Sequence, residues 1–540
     1  MAAATAAASA SPSPETMASL SLDSLLSERD CWHCGIEREL CLTIVVAGAS
    51  GDLAGKKTYP ALQFLFQHGF LPRNVAIIGY ARTQLTNQQL RDKLRPRLKG
   101  SDKERDDFLG RCTYVAGAYD GADGWNKLAA VLNEREARAR FCCQPCGRLY
   151  YLALPPSVYP QVCAGLKTYC DDIPPSDGSW LRVIVEKPFG NDLQSSEELS
   201  DMLGKLYPEK QLYRIDHYLG KEMAQNLFVM RFANMFLSPV WNRNCISNVQ
   251  ITFKEDFGTQ GRGGYFDSFG IIRDVIQNHL MQLLAFVAME KPLSIHPDDI
   301  RDEKVKVLRC IKPVSDHNVV LGAVHDPTVP PGSKTPTFAA VTLFIDNDRW
   351  AGVPFVLKAG KALDDRKAEI RVQLRPTPHF VFGGDPETAR NELVVRLQPD
   401  EAIYLKMIVK RPGLETGDTA ISELDLDYGK RYPGVVIPDA YPRLILDAIR
   451  GDQQHFVRRD ELRAAWAIFT PLLHAVDAGR LPVHPYPYGS RGPEEADELL
   501  ARAGFVKNRE YRWPHAAPSG GGVSSASVET VGTGSGNPKL

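Results

Sequence analysis

Four short, almost continuous apolar runs lie between residues 42 and 190, and a helical pattern separates each run from the next. They read LTIVVAG, VAIIGYA, RLYYLALPP and LRVIVEKPFG. Strands that are apolar on both faces are typical of a parallel sheet covered by helices on both sides, whereas half-exposed strands alternate apolar and polar residues. The sequence therefore predicts an N-terminal α/β domain with a doubly wound, Rossmann-like sheet.

Longer and more closely spaced strand patterns follow from about residue 245. They read ISNVQITFKE, FAAVTLFIDN, PFVLKAGKAL, EIRVQLRP, ELVVRLQP and IYLKMIVK, with helical patterns at 264–290 and around 441–475. This mixture predicts an α+β C-terminal domain built on a large, mainly antiparallel sheet. A length of 540 residues exceeds what one ordinary core supports, which also indicates two domains.

Composition and charge predict the ends of the chain and its surroundings. Residues 1–38 and 515–540 are rich in small and polar residues without periodicity, which is typical of disordered segments. The 64 basic and 65 acidic residues are well mixed, so no long-range field favours nucleic acid or a membrane surface. No run reaches the roughly 20 apolar residues of a membrane span, and the N-terminus lacks a secretory pattern. We expect a cytoplasmic protein, with plastid and peroxisome as minor alternatives.

Eleven cysteines, an odd number in a long chain, favour reduced thiols over a disulfide framework. The motifs Cys31-Trp-His-Cys34 and Cys142-Cys143-Gln-Pro-Cys146 could in principle bind a metal or act in redox chemistry. The first has no partner motif at zinc-like spacing, and it lies beside the irregular N-terminus. Ordinary thiols are therefore the preferred interpretation.

The segment GASGDLAGKKTYP at 48–60 follows the first apolar run and opens a helical pattern, as a phosphate-binding loop does. A P-loop fails at two fixed positions, because Ser50 replaces a glycine and Lys57 replaces the hydroxyl that holds magnesium. The pattern G-x-x-G-x-x-A is instead a variant of the dinucleotide fingerprint. We predict that these loop residues bind a dinucleotide: Gly48, Ala49, Ser50, Gly51, Asp52, Leu53 and Ala54.

The end of the second apolar run indicates which dinucleotide. An NAD enzyme places an acid at this position to bind the ribose 2′-hydroxyl. The run VAIIGYART instead carries Arg82. A guanidinium would bind the 2′-phosphate of NADP, whereas an acid would repel it. The alternative is that Arg82 is an ordinary surface arginine.

Several longer motifs occur in the order in which the glucose-6-phosphate dehydrogenase family carries them. RIDHYLGKE and IIRDVIQNHL are the most specific, accompanied by GASGDLA, GYAR, EKPFG, FGTQGRGGYFD, GKAL, ELDL, DAYPRLILD and FVRRDELRAAW. The chain resembles this family between about residues 40 and 513. The resemblance implies oxidation of glucose 6-phosphate at C1 to 6-phosphogluconolactone, with NADP as hydride acceptor and no metal. It also implies a homodimer or homotetramer, with residues 39–215 binding NADP and 216–514 binding substrate and forming the dimer.

The resemblance assigns His279 as the base for the C1 hydroxyl proton, Asp274 as the group that orients its other ring nitrogen, and Lys187 as a bridge between substrate and nicotinamide. An imidazole is well tuned for proton transfer at neutral pH. Asp274 and His279 are five residues apart, about 140° around a regular helix. We therefore expect an irregular turn between them or an Asp274 before the first regular turn. Without the resemblance, a buried core histidine is the preferred interpretation of His279.

The resemblance also implies three sets of binding residues. The substrate set comprises Lys187, His217, Tyr218, Lys221, Glu255, Asp274, Lys361, Arg366 and Gln398, with His217, Tyr218 and Lys221 at the phosphate. Tyr159 and Lys187 join the catalytic NADP site. Some members carry a second, structural NADP, and the positions that match it are Lys358, Lys367, Arg371, Arg396, Tyr404, Lys406, Asp425, Arg491 and Trp513. Lys358 replaces an arginine there and Lys507 a tyrosine, so this second site stays open.

Two other hypotheses remain at this point. Another sugar dehydrogenase with a Glu-Lys-Pro strand end would lack RIDHYLGKE, and an assay of free glucose against glucose 6-phosphate would separate the two enzymes. A catalytically silent binding protein of the same fold is not favoured, because His279, Asp274 and Lys187 are all present.

Overall fold

A computed structural model describes residues 40–142, 144–173, 178–259, 263–324, 333, 335–382 and 390–507. Six parallel strands form the first sheet in the order β3-β2-β1-β4-β5-β6. They are β1 Cys41–Ala47, β2 Val75–Ala81, β3 Cys112–Ala116, β4 Cys146–Leu152, β5 Trp180–Val185 and β6 Leu212–Arg214. The helices between them are Tyr59–Gln67, Asn87–Leu94, Asp102–Leu109, Ala122–Phe141, Tyr159–Tyr169 and Leu193–Leu206.

Nine strands form the second sheet in the order β14-β13-β12-β11-β7-β10-β9-β8-β15. They are β7 Ile246–Lys254, β8 Val319–Ala323, β9 Phe338–Phe344, β10 Pro354–Gly360, β11 Lys367–Leu374, β12 Glu392–Gln398, β13 Ala402–Lys410, β14 Thr419–Asp427 and β15 Val483–Pro485. Neighbours are antiparallel except β10 with β7 and β15 with β8. The accompanying helices are Glu222–Ala233, Gly263–Ile271, Met281–Ala288, Pro297–Arg309, Tyr428–Arg431, Ala440–Arg450, Arg459–Asp477 and Glu494–Arg502.

The strand order 3-2-1-4-5-6 is that of a dinucleotide-binding Rossmann sheet. Every residue of β1 and β4 is buried, as the continuous apolar runs predicted. The predicted fold class is therefore confirmed for both halves, a doubly wound parallel sheet and a large, mainly antiparallel sheet. Ligands in doubly wound sheets bind at the carboxyl ends of the strands, where the order reverses between β1 and β4.

The second sheet has two chemically different faces. Val249, Ile251 and Phe253 of β7 point into the main hydrophobic core, as do Ile370 and Val372 of β11. Side chains alternate along a strand, so the residues between them lie on the other face. Cross-strand pairs on that second face include Thr252 with Glu369, Glu369 with Arg396, and Tyr404 with Asp425. The sheet therefore carries an apolar face under the helices and a polar face opposite.

One helix from late in the chain packs on the first sheet. Residues of Ala440–Arg450, among them Leu444 and Ile445, belong to the same apolar cluster as β1 residues Leu42 and Ile44. Arg182 of β5 donates from Nη1 to the carbonyls of Ala448 and Ile449, at 2.9 and 2.5 Å. This helix therefore completes the core of the first sheet.

The helical pattern predicted at 264–290 is interrupted. A π-helix spans Ile272–Leu280 between two α-helices, so the predicted irregular turn between Asp274 and His279 is confirmed. No helix within the described ranges combines the length and apolarity that a membrane span requires. The predictions for 1–38, Cys31, Cys34, Trp513 and 515–540 lie outside the described residues.

Candidate active site

The glycine loop follows β1 in a tight turn. Gly48 has a φ of +83°, and a Cβ there would lie 2.4 Å from the carbonyl oxygen of Ala153 at the end of β4. The amide of Gly51 donates to the carbonyl of Gly48 at 2.8 Å. Only glycine fits position 48, and this brings the backbone close to the switch point between β1 and β4. The helical segment that starts after Gly51 presents its N-terminal amides at the same edge, which suits a pyrophosphate.

The predicted loop residues differ in exposure. Ala49 and Ala54 are buried and pack the loop against the sheet, Ser50 and Leu53 are half-buried, and Gly51 and Asp52 are exposed. The Ser50 hydroxyl lies 3.0 Å from the Thr83 hydroxyl, which joins the loop to the end of β2.

Arg82 is exposed at that same end of β2, with its guanidinium 5.4 Å from the ring centre of Tyr119. The structure therefore places Arg82 beside the glycine loop.

Gly55 and Lys57, which resemble a P-loop in sequence, have other surroundings here. A Cβ at Gly55 would lie 2.8 Å from Nη1 of Arg97. Arg97 also pairs with Asp52 at 3.3 Å, so the glycine makes room for a guanidinium from the neighbouring segment. Lys57 pairs with Asp439 at 3.1 Å. Neither residue is arranged around a nucleoside triphosphate, in agreement with the rejected P-loop.

His279 is oriented by Asp216 and not by Asp274. Its Nδ1 lies 2.6 Å from Oδ1 of Asp216, and each side chain is 3% exposed. Burial lowers the pKa of His279, although the charge of Asp216 opposes that shift. For Asp216, burial alone would raise the pKa, but His279 and the amide of Tyr218 hold it below its usual value. The prediction that Asp274 orients His279 is therefore wrong.

Asp274 is instead the partner of Lys187. Nζ of Lys187 lies 2.6 Å from the carbonyl and 3.2 Å from Oδ1 of Asp274. Burial alone would raise the pKa of Asp274, but the charges of Lys187 and Lys361 hold it below its usual value. The π-helix changes the register of the turn, so Asp274 reaches the end of β5 while His279 reaches the end of β6. Two carboxylates thus pair with His279 and Lys187, whereas sequence analysis predicted only a partner for His279 and assigned that role to Asp274.

The loop residues His217 and Tyr218 pack around the ring of His279. The ring of His217 lies 4.5 Å from that of His279 at 75°, and the ring of Tyr218 stacks on it at 4.7 Å. Nζ of Lys221 lies 5.4 Å from the Tyr218 ring centre. Burial lowers the pKa of His217 well below its usual value and also lowers the pKa of Lys221. The three predicted phosphate residues are therefore brought together beside the histidine.

Three further predicted substrate residues adjoin this group. Lys361 pairs with Glu255, and the guanidinium of Arg366 lies 5.8 Å from the ring centre of Phe257. Burial is the main cause of the raised pKa of Tyr218. The charge of Glu255 raises this pKa further, and the charge of Arg366 opposes the shift. Gln398 is half-buried at the end of β12, and its described contacts do not join it to this group.

Tyr159 is fully buried below the predicted cofactor site. Its hydroxyl donates to the carbonyl of Glu186 at 2.8 Å, directly before Lys187. Burial raises the pKa of Glu186 to about 7, and Tyr151 donates to its carboxylate. In this structure Tyr159 supports the end of β5, so its effect on a bound cofactor would be indirect, through the position of Glu186 and Lys187.

Comparison with known proteins agrees with this geometry. Residues 45–226 match the family model "Glucose-6-phosphate dehydrogenase, NAD binding domain", and residues 228–514 match "Glucose-6-phosphate dehydrogenase, C-terminal domain". The chain belongs to the glucose-6-phosphate dehydrogenase family. The resemblance found in the sequence motifs is thereby confirmed, and with it the class of oxidoreductase.

Individual relatives of the glucose-6-phosphate dehydrogenase family match over most of their length. A cytoplasmic isoform of glucose-6-phosphate 1-dehydrogenase from Solanum tuberosum is 58% identical over 482 residues, 88% of this chain and 94% of that protein. Glucose-6-phosphate 1-dehydrogenase 6, cytoplasmic, from Arabidopsis thaliana is 56% identical, covering 88% and 93%. A solved glucose-6-phosphate dehydrogenase in complex with its substrate glucose-6-phosphate has a TM-score of 0.82 at 46% identity, covering 87% of this chain and 99% of that one.

The positions that match the family's structural NADP fall into two places. Six lie on the polar face of β11–β14: Lys367, Arg371, Arg396, Tyr404, Lys406 and Asp425. There Arg371 pairs with Glu369 at 2.8 Å and with Glu392 at 2.7 Å. Lys358 lies on β10 with Arg491 nearby, and burial lowers the pKa of Lys358 to about 8. Trp513 lies outside the described residues.

Asp216 is one residue of the candidate site that sequence analysis did not predict. A signal was available, because Asp216 lies two residues after the last strand of the first sheet, within RIDHYLGKE. A polar residue at the carboxyl end of a parallel strand faces the ligand edge of the sheet. Tyr441 was missed as well, and its ring stacks on that of His217 at 6.2 Å.

Proposed function

We propose that this chain oxidises D-glucose 6-phosphate at C1 to 6-phospho-D-glucono-1,5-lactone with NADP, the first step of the oxidative pentose phosphate pathway. NADP, when bound, accepts the hydride from C1. The observation that carries the proposal is the buried His279–Asp216 hydrogen bond, which lies near Lys187 and at the same carboxyl edge of the first sheet as the glycine loop. A base with a fixed tautomer next to a dinucleotide site is what alcohol oxidation requires.

His279 takes the proton of the C1 hydroxyl. Asp216 accepts the hydrogen bond from Nδ1, so Nε2 carries the lone pair that receives this proton. Because burial lowers its pKa, His279 is neutral before the reaction. Asp216, held ionised, then stabilises the imidazolium that forms.

Lys187 positions the sugar. Its ammonium is held at the end of β5 by the carbonyl and carboxylate of Asp274, and its side chain is 27% exposed. An ammonium carries three donors and Asp274 accepts from two, so one is left for a sugar hydroxyl. The phosphate is recognised by His217, Tyr218 and Lys221, which offer a ring nitrogen, a phenol and a cation.

Absorbance of reduced nicotinamide tests the reaction directly. The chain is mixed with glucose 6-phosphate or free glucose, and with NADP or NAD. Reduction should be fastest with glucose 6-phosphate and NADP. Faster reduction with free glucose would favour another sugar dehydrogenase. No reduction with any combination of sugar and cofactor would favour a catalytically silent binding protein.

Arg82 selects NADP over NAD in this proposal. Its exposed guanidinium stands at the end of β2 where the 2′-phosphate would lie, and an arginine binds phosphate through a charge-assisted fork. Arg82→Ala should raise KM for NADP by roughly tenfold or more while barely changing KM for NAD. Arg97→Ala is the matched control, because it removes a loop cation that pairs with Asp52, away from the strand end. Equal losses for both cofactors in Arg82→Ala would remove its role in selection.

A second, structural NADP on the polar face of the large sheet forms part of the proposal. The support is a set of buried cations on adjacent strands, including Lys367, Arg371 and Lys406. In the described part of the chain, Nε of Arg396 is buried without a hydrogen-bond partner. Glu369 and Glu392 already pair with Arg371, which leaves this guanidinium less available for a phosphate of NADP. Mass spectrometry of the native chain distinguishes one bound NADP from two.

A homodimer, or a homotetramer built from it, is supported by the edge of the same sheet. Met407 and Val409 of β13 and Leu424 of β14 are 39%, 39% and 67% exposed. The strand register places them on one face, and β14 is the last strand of the sheet. An exposed apolar face at a sheet edge is typical of a contact between subunits. Light scattering measures the assembly, and Leu424→Glu should shift it toward the monomer.

The proposed location is the cytoplasm, and the proposed division of the chain is at 215/216. The two plant relatives are named as cytoplasmic. Fluorescent fusions at either end test the location, because a C-terminal fusion would block a peroxisomal address and an N-terminal fusion would block a transit peptide.

A further inference from the structure

Asp216, His217 and His279 form a compact set of metal-ligating groups. One ligand atom from each residue lies within 4.8 Å of the others. Two imidazole nitrogens and one carboxylate oxygen are a ligand set that zinc accepts, with a fourth position open. In a tetrahedral zinc site such atoms stand about 3.3 Å apart, so small side-chain rotations would close the set. Magnesium and calcium prefer oxygen ligands and do not suit two imidazoles.

A spare acceptor points to a ligand in this cluster. Oδ1 of Asp216 serves both the ring of His279 and the amide of Tyr218, the latter at 3.0 Å. Oδ2 of the same carboxylate is buried, and within the described residues it has no hydrogen-bond partner. An unpaired buried carboxylate oxygen is costly, and a bound cation would relieve that cost.

Three lysines oppose a cation here. Lys187, Lys221 and Lys57 all act on His217, so a metal would bind more weakly than in a dedicated zinc site. The same lysines favour an anionic sugar phosphate. Metal and substrate would therefore compete for one place rather than bind together.

We propose that Asp216, His217 and His279 bind a zinc-class divalent cation reversibly, and that this cation inhibits the enzyme by coordinating His279 and separating it from Asp216. The inhibitory part rests on the proposed function, whereas the binding part does not. Zinc should raise the apparent KM for glucose 6-phosphate, and glucose 6-phosphate should release bound zinc.

Equilibrium dialysis of the full chain with Zn²⁺, against a chromophoric chelator, measures the binding. His217→Phe keeps an aromatic ring against Tyr441 and removes the ring nitrogens, and it should lose one bound zinc. The matched control is His455→Phe, because His455 also pairs with an aspartate, Asp447, at 2.9 Å. Cys41→Ser tests the thiol alternative, since Cys41 and Cys146 are buried register partners on β1 and β4. Both controls should bind as the unaltered chain does.

Loss of a ligand should weaken zinc by more than the roughly 10- to 100-fold that loss of a residue supporting a ligand costs. Co²⁺ bound to the unaltered chain provides a second readout. It should show visible absorption bands and no thiolate charge-transfer band, and addition of glucose 6-phosphate should remove the visible bands. Equal zinc content in His217→Phe, or zinc lost in Cys41→Ser instead, would overturn the site. Zinc that persists at saturating substrate would overturn the inhibition. A chain that reduces no NADP but loses zinc in His217→Phe would reject the enzyme and keep the metal site.

Discussion

Two close histidine–aspartate pairs in this chain have similar geometry and different surroundings. His279 Nδ1 is 2.6 Å from Asp216, and His455 Nδ1 is 2.9 Å from Asp447. The second pair is local, because Asp447 lies on the helix that ends just before His455. The first joins residues 63 positions apart, on the last strand end of one sheet and a π-helix beside the other. A histidine–aspartate hydrogen bond alone thus does not indicate a catalytic base, and only the first pair also lies at the ligand edge of the first sheet.

The largest expected difference between the pairs is in turnover. His279→Asn should lower kcat with glucose 6-phosphate and NADP by about a hundredfold or more, because it removes the proton acceptor. Its effect on substrate binding should be small. His455→Asn should leave kcat close to that of the unaltered chain. Steady-state kinetics of both variants measure this, and near-normal turnover in His279→Asn would remove it from the role of base.

The aspartates should differ in the same direction with a smaller effect. Asp216→Asn should lower kcat by roughly tenfold or more, because the imidazole remains but its tautomer and its imidazolium lose their partner. Asp216 also raises the pKa of His279, so without it that pKa falls. The base is active only when unprotonated, so the acidic limb of the kcat profile should move to lower pH.

Asp447→Asn is the control for that shift and should leave the acidic limb unchanged. An acidic limb that stays in place in Asp216→Asn would mean that another group sets it. Profiles of kcat against pH for the unaltered chain, Asp216→Asn and Asp447→Asn measure the position of the acidic limb.

The smallest effect concerns stability in mild acid. The pKa of His217 is well below its usual value in the folded chain, mainly because of burial. Below about pH 6.5 the unfolded chain therefore binds a proton that the folded chain does not, and stability falls as the pH falls. The slope is at most about 1.4 kcal/mol per pH unit for this site.

His217→Phe removes that contribution and should flatten the loss of unfolding free energy between about pH 6.5 and 4.5. His455→Phe should keep the original slope. Denaturant titrations at several pH values measure both, and an unchanged slope in His217→Phe would show that its burial carries no protonation cost.

Longer strands buried on both faces could be predicted from the sequence, whereas short strands, including β3 and β8, and exposed strands could not. The run LTIVVAG became β1 with all residues of Cys41–Ala47 buried. No strand was predicted at β14, because TAISELDLD is polar and most of its residues are exposed or half-buried. The three-residue β6 is too short to show an alternation of apolar and polar residues, although it positions Asp216 and His217.

Motifs predicted which residues meet, and their roles depended on the tertiary structure. His217, Tyr218 and Lys221 are close together in the sequence, whereas His279 comes much later and is nonetheless adjacent to His217 and Tyr218 here. The partner of His279 was sought on its own helix, yet it comes from the end of another element. Helical spacing predicts only which residues of one helix are neighbours. It cannot predict a partner such as Asp216, which comes from a different element.

The helix Ala440–Arg450 has a consequence for how such a chain can be divided. It lies more than 220 residues after the last strand of the first sheet, yet Leu444 and Ile445 share a core with Leu42 and Ile44. A fragment that stops at residue 215 would expose the apolar surface that this helix covers, and would lack the carbonyls that Arg182 binds. The cofactor half therefore cannot be exchanged between relatives as an independent module. Recombination that succeeds must carry both segments from the same parent.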